Sequence, residues 1–279
     1  MGCWEFITPR RQTHTKKSTR WIINLSLSLT NTIVLLLVFV SGALGAAILA
    51  EQERWGLLNL VSWPMLPEVI VAIVILDLVV YGQHIMFHKM PVLWQLHKVH
   101  HSDTEFDVTT GVRFHPVEIV ISMLIKIGTI TLIGASPGAV LIFEVLLNAT
   151  ALFNHSNVCI PVQMDRMLRW MVVTPDMHRV HHSVISQETN RNFGFNLPWW
   201  DRAFGTYVSQ PYLGHESMTL GLERFRDPAK LTWLGLLTLP YVREPVIRPI
   251  KQDPFNKIEK TEGKGPRDTI LKTEEKVLT

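Results

Sequence analysis

The chain has 279 residues, 47 % of them hydrophobic, and a mean hydropathy of +0.17, which allows one large domain or two small ones and leans towards a membrane protein. Its net charge is a modest +3, with the basic residues bunched in the tails rather than along an aromatic-interleaved stripe, so no nucleic-acid partner is expected. Cys3 and Cys159 stand far apart without C-x-x-C spacing, which excludes a disulfide framework and a thiolate metal site and leaves the 12 histidines as the unusual feature.

Residues 1–20 form a basic head that includes Arg10, Arg11, Lys16, Lys17 and Arg20. From Trp21 to Ala50 no charged residue occurs, and about 20 apolar residues suffice to cross a bilayer. That run is longer than the ~7–15 residue core of a cleavable signal peptide, so it predicts a retained helix whose head stays in the cytoplasm. A second helix is expected to start near Pro67 and run through Val69–Tyr81 towards His88. Two further apolar runs, Val117–Gly134 and Ala139–Phe153, flank the turn sequence Gly134-Ala135-Ser136-Pro137-Gly138 and predict an antiparallel hairpin. They carry Lys126 and Glu144, and the hairpin either spans the membrane or dips into it.

The first helix then goes out, the second comes back, and the hairpin leaves and returns, which places every histidine cluster on the cytoplasmic face. Met164–Val173 alternates apolar residues with Arg166 and Arg169, as suits an interfacial helix. Leu231–Leu239 is too short to cross. The expected fold class is an all-α membrane protein with about four transmembrane or membrane-dipping helices and a cytoplasmic, helical, histidine-rich di-metal cap. The membrane domain covers residues 21–247, and the polar stretch 248–279 reads as a disordered tail.

The segment His97-Lys98-Val99-His100-His101-Ser102 recurs as His178-Arg179-Val180-His181-His182-Ser183. Residues three and four apart share a helix face, so each H-x-x-H-H box turns three imidazoles in nearly one direction. His84 and His88 add a pair at the end of the second helix, His155 stands where the hairpin returns, and His115 stands just before it leaves. Roughly eight to ten imidazoles exceed the four ligands of a closed zinc site, so two metals with four or five ligands each is the natural division. Imidazole suits iron, zinc, copper and nickel alike. Breaking an unactivated C–H bond, however, needs a redox metal.

Polar residues inside the apolar runs also fall on stripes. Asp77, Tyr81, His84 and His88 follow i, i+4, i+7, i+11, and Glu144, Asn148, Ala151 and His155 repeat that interval. Because metal-bound histidines commonly donate their other N–H to a carboxylate, Asp77 and Glu144 are candidate supports for the ligands. An interhelical ion pair, for instance of Glu144 with Lys126, is the alternative. Asn154 and Asp176 lie beside ligand candidates, as do Asp103, Asp107, Glu118 and Asn157, and are further candidates to orient them; polar loop residues near a turn are the plainer reading.

Taken together, these residues resemble the fatty acid hydroxylase and sterol desaturase superfamily of integral-membrane, histidine-rich di-iron proteins. The resemblance runs from Asp77 through Tyr207. It includes Asp77-x3-Tyr81-x2-His84-x3-His88, Pro91-x-Leu93-Trp94-x2-His97-x2-His100-His101-Ser102, and Arg113-Phe114-His115-Pro116-Val117-Glu118. It continues through Asn154-His155-Ser156-Asn157, Thr174-Pro175-x2-His178-x2-His181-His182, Asn192-Phe193-Gly194 and Trp200-Asp201-x3-Phe204-Gly205-Thr206.

The resemblance implies two non-haem irons, O2 as cosubstrate, a membrane lipid substrate, and electrons from a separate carrier, a ferredoxin with its reductase or a b-type cytochrome. Its implied ligands are His84, His88, His97, His100, His101, His155, His178, His181 and His182, with His115 as a tenth. Ile85 departs from the basic residue of many relatives, and Ala151 replaces a histidine that some fatty acid hydroxylases carry. The expected activity is hydroxylation or desaturation of a lipid C–H bond in a bacterial inner membrane or endoplasmic reticulum, with no catalytic residue named beyond the metal site. Sterol, carotenoid, fatty acyl chain and ether lipid all remain compatible. A zinc hydrolase of lipid amides or esters is the alternative enzyme class, and a metal transporter or haem-bearing carrier the non-enzyme one.

Overall fold

The computed structural model describes residues 1–242, so the tail expected from residue 248 lies outside the described residues. Among the described residues the regular structure is helical, joined by short 3-10 turns and two isolated bridges. Four stretches are long and apolar enough to cross a membrane: Lys17–Leu60, Met65–Lys89, Pro116–Ile133 and Pro137–Asn154. The protein is accordingly an integral membrane protein.

A short helix, α1 (Gly2–Ile7), precedes the first of these stretches. The charge-free run is not one helix. It divides into α2 (Lys17–Val38) and α3 (Gly42–Gln52) because the backbone turns extended at Phe39 and Gly42 takes a φ of +53°, which costs glycine little. The chain returns as α4 (Met65–Lys89) and then forms α5 (Pro91–His101), whose Pro91 fits the first helical turn. Next come α6 (Pro116–Ile133) and α7 (Pro137–Asn154), each opened by proline at its first position and by a side chain that accepts a backbone N–H, His115 for α6 and Ser136 for α7. Gly134 ends α6 in the left-handed conformation.

The spans meet through small residues. Ala43, Ala47, Ala72, Ala135 and Ala139 let the backbones approach, and Leu76, Ile130, Val140 and Phe143 fill the remaining space. Leu36, Leu37, Leu132 and Val145 point outward, as hydrocarbon rather than water requires.

Beyond one end of the bundle sits a cap made of the loops after α5 and α7 with α8 (Val162–Leu168) and α9 (Pro175–His181). Four further short helices follow: α10 (Ser186–Thr189), α11 (Trp199–Ala203), α12 (Gly214–Ser217) and α13 (Trp233–Thr238). Around α8 the side chains of Met164, Met167, Trp170 and Met171 are exposed, as an interfacial position predicts. The segment 231–239 packs Leu231, Leu236 and Leu239 on Leu27 of α2 and Val99 of α5.

The first twenty residues are part of the cap. Glu5 accepts from the backbone N–H groups of Val108 and Asn157, Arg10 pairs with Asp176, and Arg11 reaches the carbonyls of His215 and Met218. Arg20 closes the strap with hydrogen bonds of 2.8 Å to Asp103 and 2.7 Å to Asp107.

Candidate metal centre

Three helix ends and one helix cap deliver nine histidines to one place. The last two turns of α4 carry His84 and His88, and the last turn of α5 carries His97, His100 and His101. His155 caps the C-terminus of α7, and α9 with its C-cap supplies His178, His181 and His182.

The nine fall into two groups, His84, His88, His97, His101 and His181 in one and His100, His155, His178 and His182 in the other, with potential ligand atoms within 4.8 Å of one another in each. Each H-x-x-H-H box is shared between the groups. In α5 the i and i+4 residues, His97 and His101, enter the first group and His100 the second. In α9 the assignment is exchanged, with His178 and His182 in the second group and His181 in the first. The groups touch where the rings of His101 and His182 stack at 4.6 Å.

The hydrogen bonds of the outer ring nitrogens fix the direction of the inner ones. His84 Nδ1 donates to the Phe193 carbonyl at 2.8 Å, His97 Nδ1 to the Glu118 carboxylate at 2.7 Å, and His181 Nδ1 to the Arg191 carbonyl at 2.8 Å. Each Nε2 therefore keeps a lone pair, and all five Nε2 atoms of the first group are buried without a hydrogen-bond partner. Five buried ring nitrogens without partners, so close together, are costly unless a cation sits between them. In the second group His155 Nδ1 donates to the Ala151 carbonyl at 2.8 Å. Its Nε2 lies 3.2 Å from His100 Nε2 and 3.0 Å from His178 Nε2, while His182 Nε2 has no partner.

Burial, reinforced by the neighbouring imidazoles, holds His100, His101, His178 and His182 well below the ordinary histidine value. Burial likewise pushes His155 down to about 4 and His181 to about 3. Neutral imidazole is the form that ligates, so these six rings are prepared for a metal at neutral pH. All-nitrogen sets of this kind fit iron, copper, nickel or zinc and disfavour calcium and magnesium, which take oxygen.

His115 joins neither group. Its Nδ1 accepts from Val117 N and its Nε2 donates to the Leu237 carbonyl at 3.2 Å, so the ring is committed to starting α6. The four support candidates also lie elsewhere. Asp77 accepts from the backbone of Asn196 and Leu197 and from Trp200 Nε1 rather than from a histidine. Glu144 pairs with Lys126 at 2.6 Å, Asn154 donates to the Phe195 carbonyl, and Asp176 meets Arg10 and Arg179.

The supports that do reach histidines are Glu118, one of the candidates beside the ligands, and backbone carbonyls, which, being carbonyls, leave no signature in a side-chain pattern. The loop that provides two of them is held by side chains. Asn192, at a φ of +51°, donates to the carbonyls of Met177 and Val208. Asp201 accepts from the N–H groups of Phe193 and Gly194, and Asp77 clamps the same loop three residues further on. Asp77 and Asp201 thus act on His84 through the Phe193 carbonyl. The Asn192-Phe193-Gly194 and Trp200-Asp201 motifs were the sequence signal for this loop.

The two faces of the centre differ. A cavity of about 350 Å³ between α2, α4, α6 and α7 has apolar walls that include Leu76, Val80 and Leu147 and reaches His84, His97 and His100. A second opening of about 300 Å³ is bordered by Ser183, Ser186, Asn190 and Glu223 and reaches His88 and Trp94, whose ring lies 5.1 Å from that of His88.

Residues 69–206 match the fatty acid hydroxylase family. Over 150 residues the chain is 31 % identical to the ornithine lipid hydroxylase of Rhizobium tropici, covering 54 % of this chain and 44 % of that protein. It is 27 % identical over 145 residues to the alkylglycerol monooxygenase of Homo sapiens, covering 51 % and 30 %, and 23 % identical over 151 residues to the cholesterol 25-hydroxylase of Rattus norvegicus, covering 53 % and 49 %. The chain thus spans less than half the length of each of these relatives. No solved structure matches it.

Proposed function

The chain belongs to the fatty acid hydroxylase family, and from that premise we propose that it hydroxylates a C–H bond of a membrane lipid with O2, using two non-haem irons held by the nine grouped histidines. The observation that carries this reading is the position of two adjoining all-imidazole groups at the base of an apolar cavity that lies between membrane-spanning helices. Hydroxylation is favoured over desaturation by the names of the relatives, which are hydroxylases and monooxygenases.

Iron bound in the two groups supplies the redox chemistry that zinc lacks. The reaction consumes one O2, two electrons and two protons for each C–H bond converted to C–OH, with water as the second product. The chain's own residues do the rest. Glu118, Phe193 and Arg191 hold His97, His84 and His181 in the tautomer that turns Nε2 inward. The aliphatic wall of the cavity excludes water from the face where a lipid tail lies. The polar opening beside His88 and Trp94 is the natural side for the electrons to arrive from a separate carrier, a ferredoxin with its reductase or a b-type cytochrome.

In this reading residues 21–247 are the hydroxylase domain, strapped at its cap by residues 1–20. The basic residues Arg10, Arg11, Lys16 and Lys17 lie at the histidine end of the chain's first span, which supports a cytoplasmic cap.

The test is turnover of membrane lipid by the purified protein in vesicles, reconstituted with ferrous iron and a donor system under ¹⁸O2. The expected result is lipid product carrying one ¹⁸O label and no product without oxygen. Product formed equally well in the absence of O2 and reductant would point instead to hydrolysis by a zinc centre.

A further inference from the structure

Lys126 and Glu144 have no part in holding the metal centre. They face each other across α6 and α7 at 2.6 Å, both within candidate membrane spans. Both also line the apolar cavity that descends to His84, His97 and His100. On α6 the cavity is lined by Glu118, Ser122 and Lys126 at successive four-residue steps, which puts the backbone of Lys126 about 12 Å along the axis from that of Glu118, whose carboxylate holds His97.

Packing does not explain the pair. The hairpin is already closed by the Ser136 cap and by Ile130, Val140 and Phe143, and a buried ion pair can usually be replaced by apolar residues without loss. Charged residues within a membrane are rare and usually face a functional cavity. The ammonium of Lys126 has three N–H donors, of which Glu144 takes one, and the two side chains remain 14 % and 28 % exposed. Lower in the cavity, Gln83 donates to the Ser122 hydroxyl at 2.8 Å.

We propose that the Lys126–Glu144 pair anchors the polar group of the lipid substrate, and that this group is a neutral hydroxyl or carboxamide about 12 Å, or roughly ten carbons, from the carbon presented to the metal centre. A neutral group with both a donor and an acceptor satisfies Glu144 and Lys126 together. An anion would face Glu144, a cation would face Lys126, and a pure hydrocarbon would cover the pair without compensating it. The carbon chain between anchor and metal centre runs along Leu76, Val80, Met123 and Leu147. The inference rests on the lipid-oxidising reading of the site, and it makes that reading's substrate an amphiphile oxidised far from its polar group.

The test is binding, which requires no turnover. Thermal shifts of the metal-loaded protein in nanodiscs are titrated with 1-dodecanol and with dodecane. The wild type is expected to respond to the alcohol at tenfold or more lower concentration than to the alkane. In the double variant K126L/E144L that preference should fall to within twofold, with metal content and the ligand-free melting temperature retained. A wild type that does not discriminate, or a folded double variant that still does, overturns the proposal.

Should K126L/E144L not fold, the wild type still decides. Oxidation of 1-dodecanol, 1-tetradecanol and 1-hexadecanol should fall at a constant distance from the hydroxyl, whereas a constant distance from the methyl end overturns the anchor. Retained discrimination in binding with no labelled product from any lipid would leave the anchor standing and refute the oxygenase reading.

Discussion

His97 and His100 stand three residues apart on the last turn of one helix, yet they turn their rings, 5.3 Å apart, into different groups. The second box makes the complementary division, so each box ties the two groups together. The groups also differ in reserve. Five histidines surround the first site and four the second. His181→Ala leaves four ligands, a full complement for a small metal ion, whereas His100→Ala leaves three. His100→Ala should therefore weaken metal binding tenfold or more and His181→Ala by clearly less, as measured by metal titration of the refilled apoprotein. The reverse order would mean that the grouping is not the coordination.

Glu118 accepts from His97 Nδ1 and so sets which ring nitrogen faces the metal. Loss of such a partner typically lowers metal affinity 10- to 100-fold, and Glu118→Ala should do so without unfolding the protein. Glu118→Gln keeps an amide oxygen able to accept from Nδ1–H and should recover part of the loss. Equal affinity in all three proteins would show that the carboxylate does not orient the ring.

His115 supplies a contrast on the same helix. Because its Nδ1 caps α6 and its Nε2 reaches the Leu237 carbonyl, His115→Ala should leave the metal content unchanged. The lost cap should cost about 0.5–2 kcal/mol of stability, read as a lower melting temperature. His115→Asn, a good capping residue, should regain most of it. Loss of metal in His115→Ala with unchanged stability would assign the ring to ligation instead.

Much of this arrangement was legible in the sequence. The four spans announced themselves by apolar length, and the two boxes by their repetition. What escaped depended on contacts between distant segments. The polar stripe of α4 lies inward, but Asp77 found backbone N–H groups of the 196–197 loop; Glu144 found Lys126 across the hairpin, the ion pair that the sequence offered as the alternative. The acceptors that orient His84 and His181 are carbonyls, for which any residue type serves. The equal spacing of the boxes implied a common direction for their three rings. It did not show that two centres would divide them, because that depends on where the facing helix stands. The break after Val38 was hidden in a charge-free run whose local mark is Ser41-Gly42.

Arg20 is held between Asp103 and Asp107 at the point where α2 leaves the cap. Burial alone would raise the Asp103 carboxyl, but the guanidinium groups of Arg20 and Arg113 outweigh it and hold it well below the usual carboxylate range. The stabilisation is thus fully present above the unfolded carboxylate value of about 4 and is lost as pH falls through the lower folded value. Arg20→Met leaves two buried carboxylates facing a vacated partner and should cost about 3–5 kcal/mol at pH 7. The deficit should narrow as pH falls below about 4 towards the lower folded value of Asp103. Thermal unfolding of both proteins across pH checks this, and a deficit independent of pH would show that packing, not charge, carries the contribution of Arg20.

The central claim is that nine imidazoles from four segments enclose two metal ions of one kind. Elemental analysis of the intact protein, refilled with ferrous iron without oxygen and freed of loose metal, measures it directly. The account predicts about two irons per chain, one for each all-nitrogen group. A plateau at a single iron, or a persistent preference for zinc in both groups, would contradict it.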